Sequence, residues 1–164
     1  MKPTLYLETT VVSYYTARLS RNIVARAHQR LTYSWWQQRE GLFKIYVSPV
    51  VLEEAARGDR HQAARRLAVL AKYLVLVATP ETERLTRLYM RELVLPERAV
   101  RDAAHLAFAC GYDIEYLLTW NCAHLANAEV QAQLLRLNLS AGIATPCVCT
   151  PEQLMGMKGR GNVA

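Results

Sequence analysis

Thr4-Leu5-Tyr6-Leu7-Glu8-Thr9-Thr10 joins an apolar and aromatic run to an abrupt acid and a pair of hydroxyls. The run reads as a buried strand, since strands covered on both faces are apolar throughout. Glu8 ends it, and a Thr9 or Thr10 hydroxyl can cap a short helix through Tyr15. The same alternation continues outward. Asn22 caps a helix to about Gln38, with Ile23, Ala27, Leu31 and Trp35 at helical spacing. Phe43 to Val47 is a second strand, and Ser48-Pro49 starts the next helix, where proline's missing N–H is not needed.

Gly58 ends that helix, and another runs from about Arg60 to Lys72. Tyr73 to Val77 is a third strand, and Thr79-Pro80 opens a helix. Pro96 to Gly111 is helical, Tyr116 to Thr119 is a fourth strand, and Ala126 to Leu137 is the last helix. Cys147 to Cys149 forms a fifth strand. Short apolar strands alternating with helices predict an α/β fold, a three-layer α/β/α sandwich around a mostly parallel sheet. The expectation is one domain over residues 1–155 and a flexible tail over 156–164.

A chain of 164 residues can bury a core without staples. It is 52% hydrophobic and 21% charged, a globular balance. No apolar run is long enough to span a bilayer, and no signal-peptide layout opens the chain, so a cytoplasmic protein without membrane contact is expected. The net charge of +6 favours nucleic acid or an acidic protein partner without choosing between them. Cys110, Cys122, Cys147 and Cys149 match no standard zinc spacing. Nor is there a Gly-rich phosphate loop.

In such sheets ligands gather outside the carboxyl ends of the strands. Glu8 follows the first strand and Asn121 the fourth, so both face one crevice. With Glu54 and Asp102 they make a candidate site of oxygen donors, the kind that hard divalent cations take. Each also has a structural reading. Glu8 and Asp102 can complement helix dipoles, Glu53 and Glu54 can form a solvated face, and Asn121 can cap a turn. Asp102 is the sharpest of the four, because Ala103, Leu106 and Ala107 make its helix apolar and an unpaired charge there is costly. His105, three residues on, shares its face and reads as a residue behind the ligands. His124 reads as a helix-start or surface residue.

Four segments, in order, carry a resemblance: Tyr6-Leu7-Glu8-Thr9-Thr10-Val11-Val12-Ser13, Ser48-Pro49-Val50-Val51-Leu52-Glu53-Glu54, Asp102-Ala103-Ala104-His105-Leu106-Ala107 and Leu117-Leu118-Thr119-Trp120-Asn121. Together the chain resembles the PIN-domain superfamily, particularly VapC-like toxins of bacterial toxin–antitoxin pairs. The resemblance implies a Mg²⁺- or Mn²⁺-dependent endoribonuclease, an RNA substrate, a cognate antitoxin and a homodimer. It assigns Glu8, Glu54 and Asp102 as metal ligands and Asn121 as the fourth catalytic position, and excludes Glu53 by register. Thr10, Thr119, Arg98, Arg101 and His105 are expected around them, the two arginines for phosphates.

The chain departs from the family in two places. Glu8 stands where Asp is usual, and Asn121 replaces an acid. One firmly held metal is therefore expected rather than two. The alternative is a catalytically weak PIN fold acting as an RNA- or protein-binding module. Trp35, Trp36 and Trp120 suit base stacking, but burial or a partner-facing place is expected for at least two.

Overall fold

The computed structural model describes residues 1–156, so the expected tail lies, from residue 157, outside the described residues. Five strands are present: β1 (Thr4–Leu7), β2 (Lys44–Val47), β3 (Leu74–Val75), β4 (Tyr116–Leu118) and β5 (Cys147–Cys149). They form one sheet in the order β3-β2-β1-β4-β5, with every pairing parallel. Seven α-helices flank it: α1 (Thr9–Thr16), α2 (Ile23–Gln38), α3 (Pro49–Ala55), α4 (Arg60–Leu70), α5 (Pro80–Glu92), α6 (Val100–Gly111) and α7 (Ala128–Ala141). The three-layer α/β/α expectation holds.

The order places β1 at the centre, with the chain moving away on one side to β2 and β3 and returning on the other to β4 and β5. A crevice at such a reversal opens beyond the carboxyl ends of β1 and β4. Register aligns those ends, with Tyr6 beside Leu117 and Leu7 beside Leu118. Leu5, Leu7, Leu117 and Leu118 are all fully buried, as central parallel strands require. Tyr6, which alternates to the opposite face from Leu5 and Leu7, is also fully buried and touches α6 through His105.

Several helix starts follow local chemistry. Asn22 accepts from Ala25 N, and Ser48 accepts from Val51 N with Pro49 in the first turn. Thr79 and Thr82 form a reciprocal cap on α5. The start of α1 differs from expectation: its cap is the Glu8 carboxylate, accepting from Thr10 N. A buried carboxylate outcompetes a hydroxyl there, since it meets both the free N–H and the positive end of the helix. At β3 only Leu74 and Val75 pair, and both are exposed, because this strand lies at the sheet edge. The last helix runs on to Ala141, where Gly142 adopts φ +68° and closes it.

The central helix is α6, with every residue from Ala103 to Cys110 buried. Its alanines allow close approach, so whatever polar group it carries is fixed against the sheet. Two such groups, Asp102 and His105, lie at its N-terminal end. No helix among the described residues is long and apolar enough to cross a membrane.

Candidate active site

Glu8, at the end of β1, is 3% exposed, and its carboxylate is held from three directions. Oε1 accepts from Thr10 N at 3.1 Å, while Oε2 accepts from the Thr10 hydroxyl and from Thr119 Oγ1 at 2.7 Å. Burial pushes its carboxyl above the ordinary range, opposed by the charge of His105 and these hydroxyl bonds. Thr10 and Thr119 thus act on Glu8. Each also accepts from the backbone after β4, Thr10 from Trp120 N and Thr119 from Asn121 N.

Glu54 reaches Glu8 from α3. The carboxylates and His105 Nε2 each offer a ligand atom, and these atoms lie within 4.8 Å of one another. Glu54 Oε2 accepts from Thr9 Oγ1 at 2.5 Å and lies 3.0 Å from His105 Nε2. Burial raises the Glu54 pKa, but the His105 bond and charge, Thr9 and the Arg101 charge outweigh it and hold the group low. Glu53, its neighbour, is exposed. Helical geometry turns adjacent residues about a quarter turn apart, so only one of the pair can face the cleft.

His105 is fully buried between these acids and a chain of hydroxyls. Its Nδ1 lies 2.7 Å from Tyr6 Oη, which lies 2.6 Å from Ser48 Oγ. Burial disfavours the imidazolium, yet the Glu54 bond and the charges of Glu8, Glu54 and Asp102 raise the pKa overall. When protonated, both ring nitrogens donate, so Tyr6 accepts from Nδ1 and donates its own hydrogen to Ser48. Tyr6 and Ser48 were not singled out by the sequence. Their signal is an OH on a central strand and a cap residue beside it, which is common in proteins without a site.

Asp102 stands outside that trio, one turn earlier on α6. Its Oδ1 accepts from Asn121 Nδ2 at 2.9 Å, and its Oδ2 lies 2.7 Å from His124 Nδ1. Asn121 Oδ1 accepts from His124 N at 3.1 Å, which fixes the orientation of the amide. Asn121 therefore turns a donor, not an oxygen, toward the neighbouring acid. His124, expected at a helix start or on the surface, instead lies against Asp102 with its side chain 28% exposed. The contact joins residues 22 apart in sequence, so no local pattern announces it.

A cleft of about 680 Å³ opens over Glu8 and Glu54. Arg18, Arg57 and Arg101 line it, and none of them is in an ion pair among the described residues. Arg18 lies on the α1–α2 loop, which buried Gln29 clamps by accepting from Ser20 N and donating to Arg18 O, both at 2.8 Å. Arg101, expected beside the acids, lies at the start of α6 and lines the cleft. Arg98 is exposed on the turn before α6 and does not line the cleft. All three tryptophans are buried; Trp120 donates to Thr32 at 2.7 Å and stacks on His28.

The donor set suits a hard divalent cation. Glu54 takes both its bonds on Oε2, leaving Oε1 as a donor, and the two carboxylates face each other with unneutralised charge when His105 is neutral. The nitrogen of His105 is already engaged by Glu54, so the oxygens are the available ligands.

No family model matches the chain, and no curated protein matches it in sequence. Solved structures do. A chain in the crystal structure of VapBC2 from Rickettsia felis, bound to a DNA fragment from their promoter, aligns with a TM-score of 0.56 at 13% identity. The alignment covers 90% of this chain and 98% of that one. VapC20 from Mycobacterium tuberculosis, described as a sarcin–ricin loop cleaving toxin, aligns with a TM-score of 0.58 at 14% identity over 73% of this chain and 92% of that one. The protein described here thus has the fold of VapC-like PIN domains.

Proposed function

We propose that this chain is a divalent-metal-dependent endoribonuclease, the cytoplasmic toxin of a toxin–antitoxin pair, with residues 1–155 forming one PIN-like domain. The observation that carries the reading is the meeting of Glu8 and Glu54 on the floor of an arginine-lined cleft at the sheet's point of reversal. Glu8, Glu54 and Asp102 would hold Mg²⁺ or Mn²⁺. Such an ion polarises a phosphodiester and lowers the pKa of water.

The chain's own residues do the remainder. Thr10 and Thr119 fix the Glu8 carboxylate, and Thr9 with His105 fixes that of Glu54. Arg18, Arg57 and Arg101 supply charge for RNA phosphates. Asn121 orients Asp102 rather than contributing a fourth acid. Cleavage on this reading leaves a 5′-phosphate and a 3′-hydroxyl.

The likeness to the M. tuberculosis neighbour, described as a sarcin–ricin loop cleaving toxin, supports the reading of RNA as substrate. The Rickettsia neighbour, a VapBC2 structure, supports a cognate antitoxin as partner. A homodimer is part of the same reading. One observation favours the alternative of a weak nuclease serving as an RNA- or protein-binding module: His105 Nε2 lies between the acids and, when protonated, neutralises charge that a metal would otherwise meet.

The test is cleavage of a structured RNA by antitoxin-free protein with Mn²⁺ or with EDTA. Mn²⁺-dependent cleavage supports the nuclease. RNA binding without cleavage in either condition supports the binding module.

A further inference from the structure

We propose that His124 is a positioning residue, which together with Asn121 holds both oxygens of Asp102 and sets that acid against Glu8. The inference rests on the nuclease reading above and adds a role for the loop after β4. From Thr119 to His124, this loop touches both acids. Thr119 Oγ1 donates to Glu8 at 2.7 Å, Asn121 Nδ2 donates to Asp102 at 2.9 Å, and His124 Nδ1 lies 2.7 Å from the other Asp102 oxygen.

The loop is rigidly placed. Trp120 anchors it through N to Thr10 Oγ1 at 2.8 Å, through Nε1 to buried Thr32 at 2.7 Å, and by stacking on His28 at 4.0 Å between ring centroids. Backbone bonds from Leu125 N and Ala126 N to Asn121 O close its far end. Glu8 comes from β1 and Asp102 from α6, so their separation otherwise depends on how a helix packs on a sheet. A loop that bonds to both removes that freedom.

The clamp does not depend on the charge of His124. A carboxylate only accepts, so the bonded Nδ1 carries hydrogen in both the neutral and the charged ring. Both partners are partly open to solvent, the His124 side chain 28% and that of Asp102 17% exposed. Such a bond contributes little to stability, which separates a positioning role from a merely structural one.

The experiment compares full-length wild type with His124→Ala, His124→Asn and His124→Gln. Three readouts are used: Mn²⁺ affinity without RNA, kcat and KM for RNA, and melting temperature. Asparagine can place its amide nitrogen where Nδ1 stands, whereas glutamine carries the amide one methylene further.

His124→Ala is expected to lose about 10–100-fold in Mn²⁺ affinity or kcat, as losses of outer partners of metal ligands do. KM should change far less, and melting by only a few degrees. His124→Asn should recover most of the loss and His124→Gln little. Alanine behaving as wild type, or asparagine as poorly as alanine, overturns the clamp. In metal-free protein, long-range ¹H–¹⁵N spectra should show a proton on Nδ1 of His124; a proton on Nε2 alone also overturns it. Absence of cleavage by wild type would instead count against the nuclease reading, while the Mn²⁺ isotherms and the ring spectrum still judge the clamp.

Discussion

Asn121→Asp restores a carboxylate where the family resemblance implies one, and the structure says what it would meet. Asn121 Oδ1 is tied to His124 N at 3.1 Å, and Nδ2 donates to Asp102 Oδ1 at 2.9 Å. An aspartate can keep the first bond. Its second oxygen then faces the Asp102 carboxylate with no hydrogen between them. The lost bond, to a carboxylate that water partly reaches, is worth about 0.5–1.5 kcal/mol. Two unit charges 2.9 Å apart at an effective dielectric near 20 repel by about 6 kcal/mol.

That repulsion is an upper bound, since both side chains can rotate and water reaches the 17%-exposed Asp102. A net loss of about 3–4 kcal/mol in metal-free protein follows. For a chain of this size that lowers the melting temperature by roughly 6–15 °C. Asn121→Ala adds no charge; it loses the bond to Asp102 and also the one from His124 N, both of which water can replace, and should cost less, about 1–2 kcal/mol.

Thermal unfolding followed by circular dichroism in EDTA, and again in saturating Mg²⁺, reads the effect. The aspartate variant should regain most of its loss with the cation present. Combining Asn121→Asp with Asp102→Asn swaps donor and acceptor and should restore melting while abolishing cleavage. If the aspartate variant melts no lower than the alanine variant in EDTA, the charge reasoning is wrong.

Three further outcomes are expected. His105 has a folded pKa above its ordinary value of about 6.5, so the stability it contributes is complete below that pH and is lost as pH rises through the raised value. Glu8, raised by burial, acts in the same direction, while Glu54, held low, contributes above about 4.5 and loses that contribution only as pH falls through its lowered value. Metal-free protein should therefore melt lower at pH 9 than at pH 6, and His105→Gln should shrink the difference; a flat profile in wild type contradicts this. Glu54→Gln should reduce cleavage by more than the ~10–100-fold typical of outer partners, while exposed Glu53→Gln leaves it nearly unchanged; equal losses would remove the assignment. Arg18→Ala and Arg57→Ala should raise KM more than they lower kcat, and each should flatten the salt dependence of RNA binding by roughly 0.7 for every phosphate the arginine neutralises. Unchanged salt slopes would place the RNA elsewhere.

Much of the fold was legible because its signals are local. The strand Thr4–Leu7, the Asn22 cap and the Ser48-Pro49 helix start each depend on a few adjacent residues. The end of the third strand was not, because Tyr73 to Val77 is apolar yet lies at an edge where only Leu74 and Val75 pair. The site was legible in part. Glu8, Glu54, Asp102 and Asn121 came from an ordered resemblance, and the structure brings Glu8 to Glu54 and Asp102 to Asn121. His124, Tyr6, Arg18 and Arg57 gain their places from contacts between elements distant in sequence. The spacing Asn121-x-x-His124, just after a strand, is the one local signal that could have drawn attention to His124.

Whether these carboxylates hold a metal that cuts RNA is tested most directly at the ends of the products. RNA is incubated with wild type and with Asp102→Asn, in Mn²⁺ and in EDTA, then sequenced and its end groups identified. The prediction is defined cuts bearing 5′-phosphates and 3′-hydroxyls, formed only by wild type and only with Mn²⁺. Cuts that persist in EDTA or in Asp102→Asn, or that end in cyclic phosphates, would contradict it.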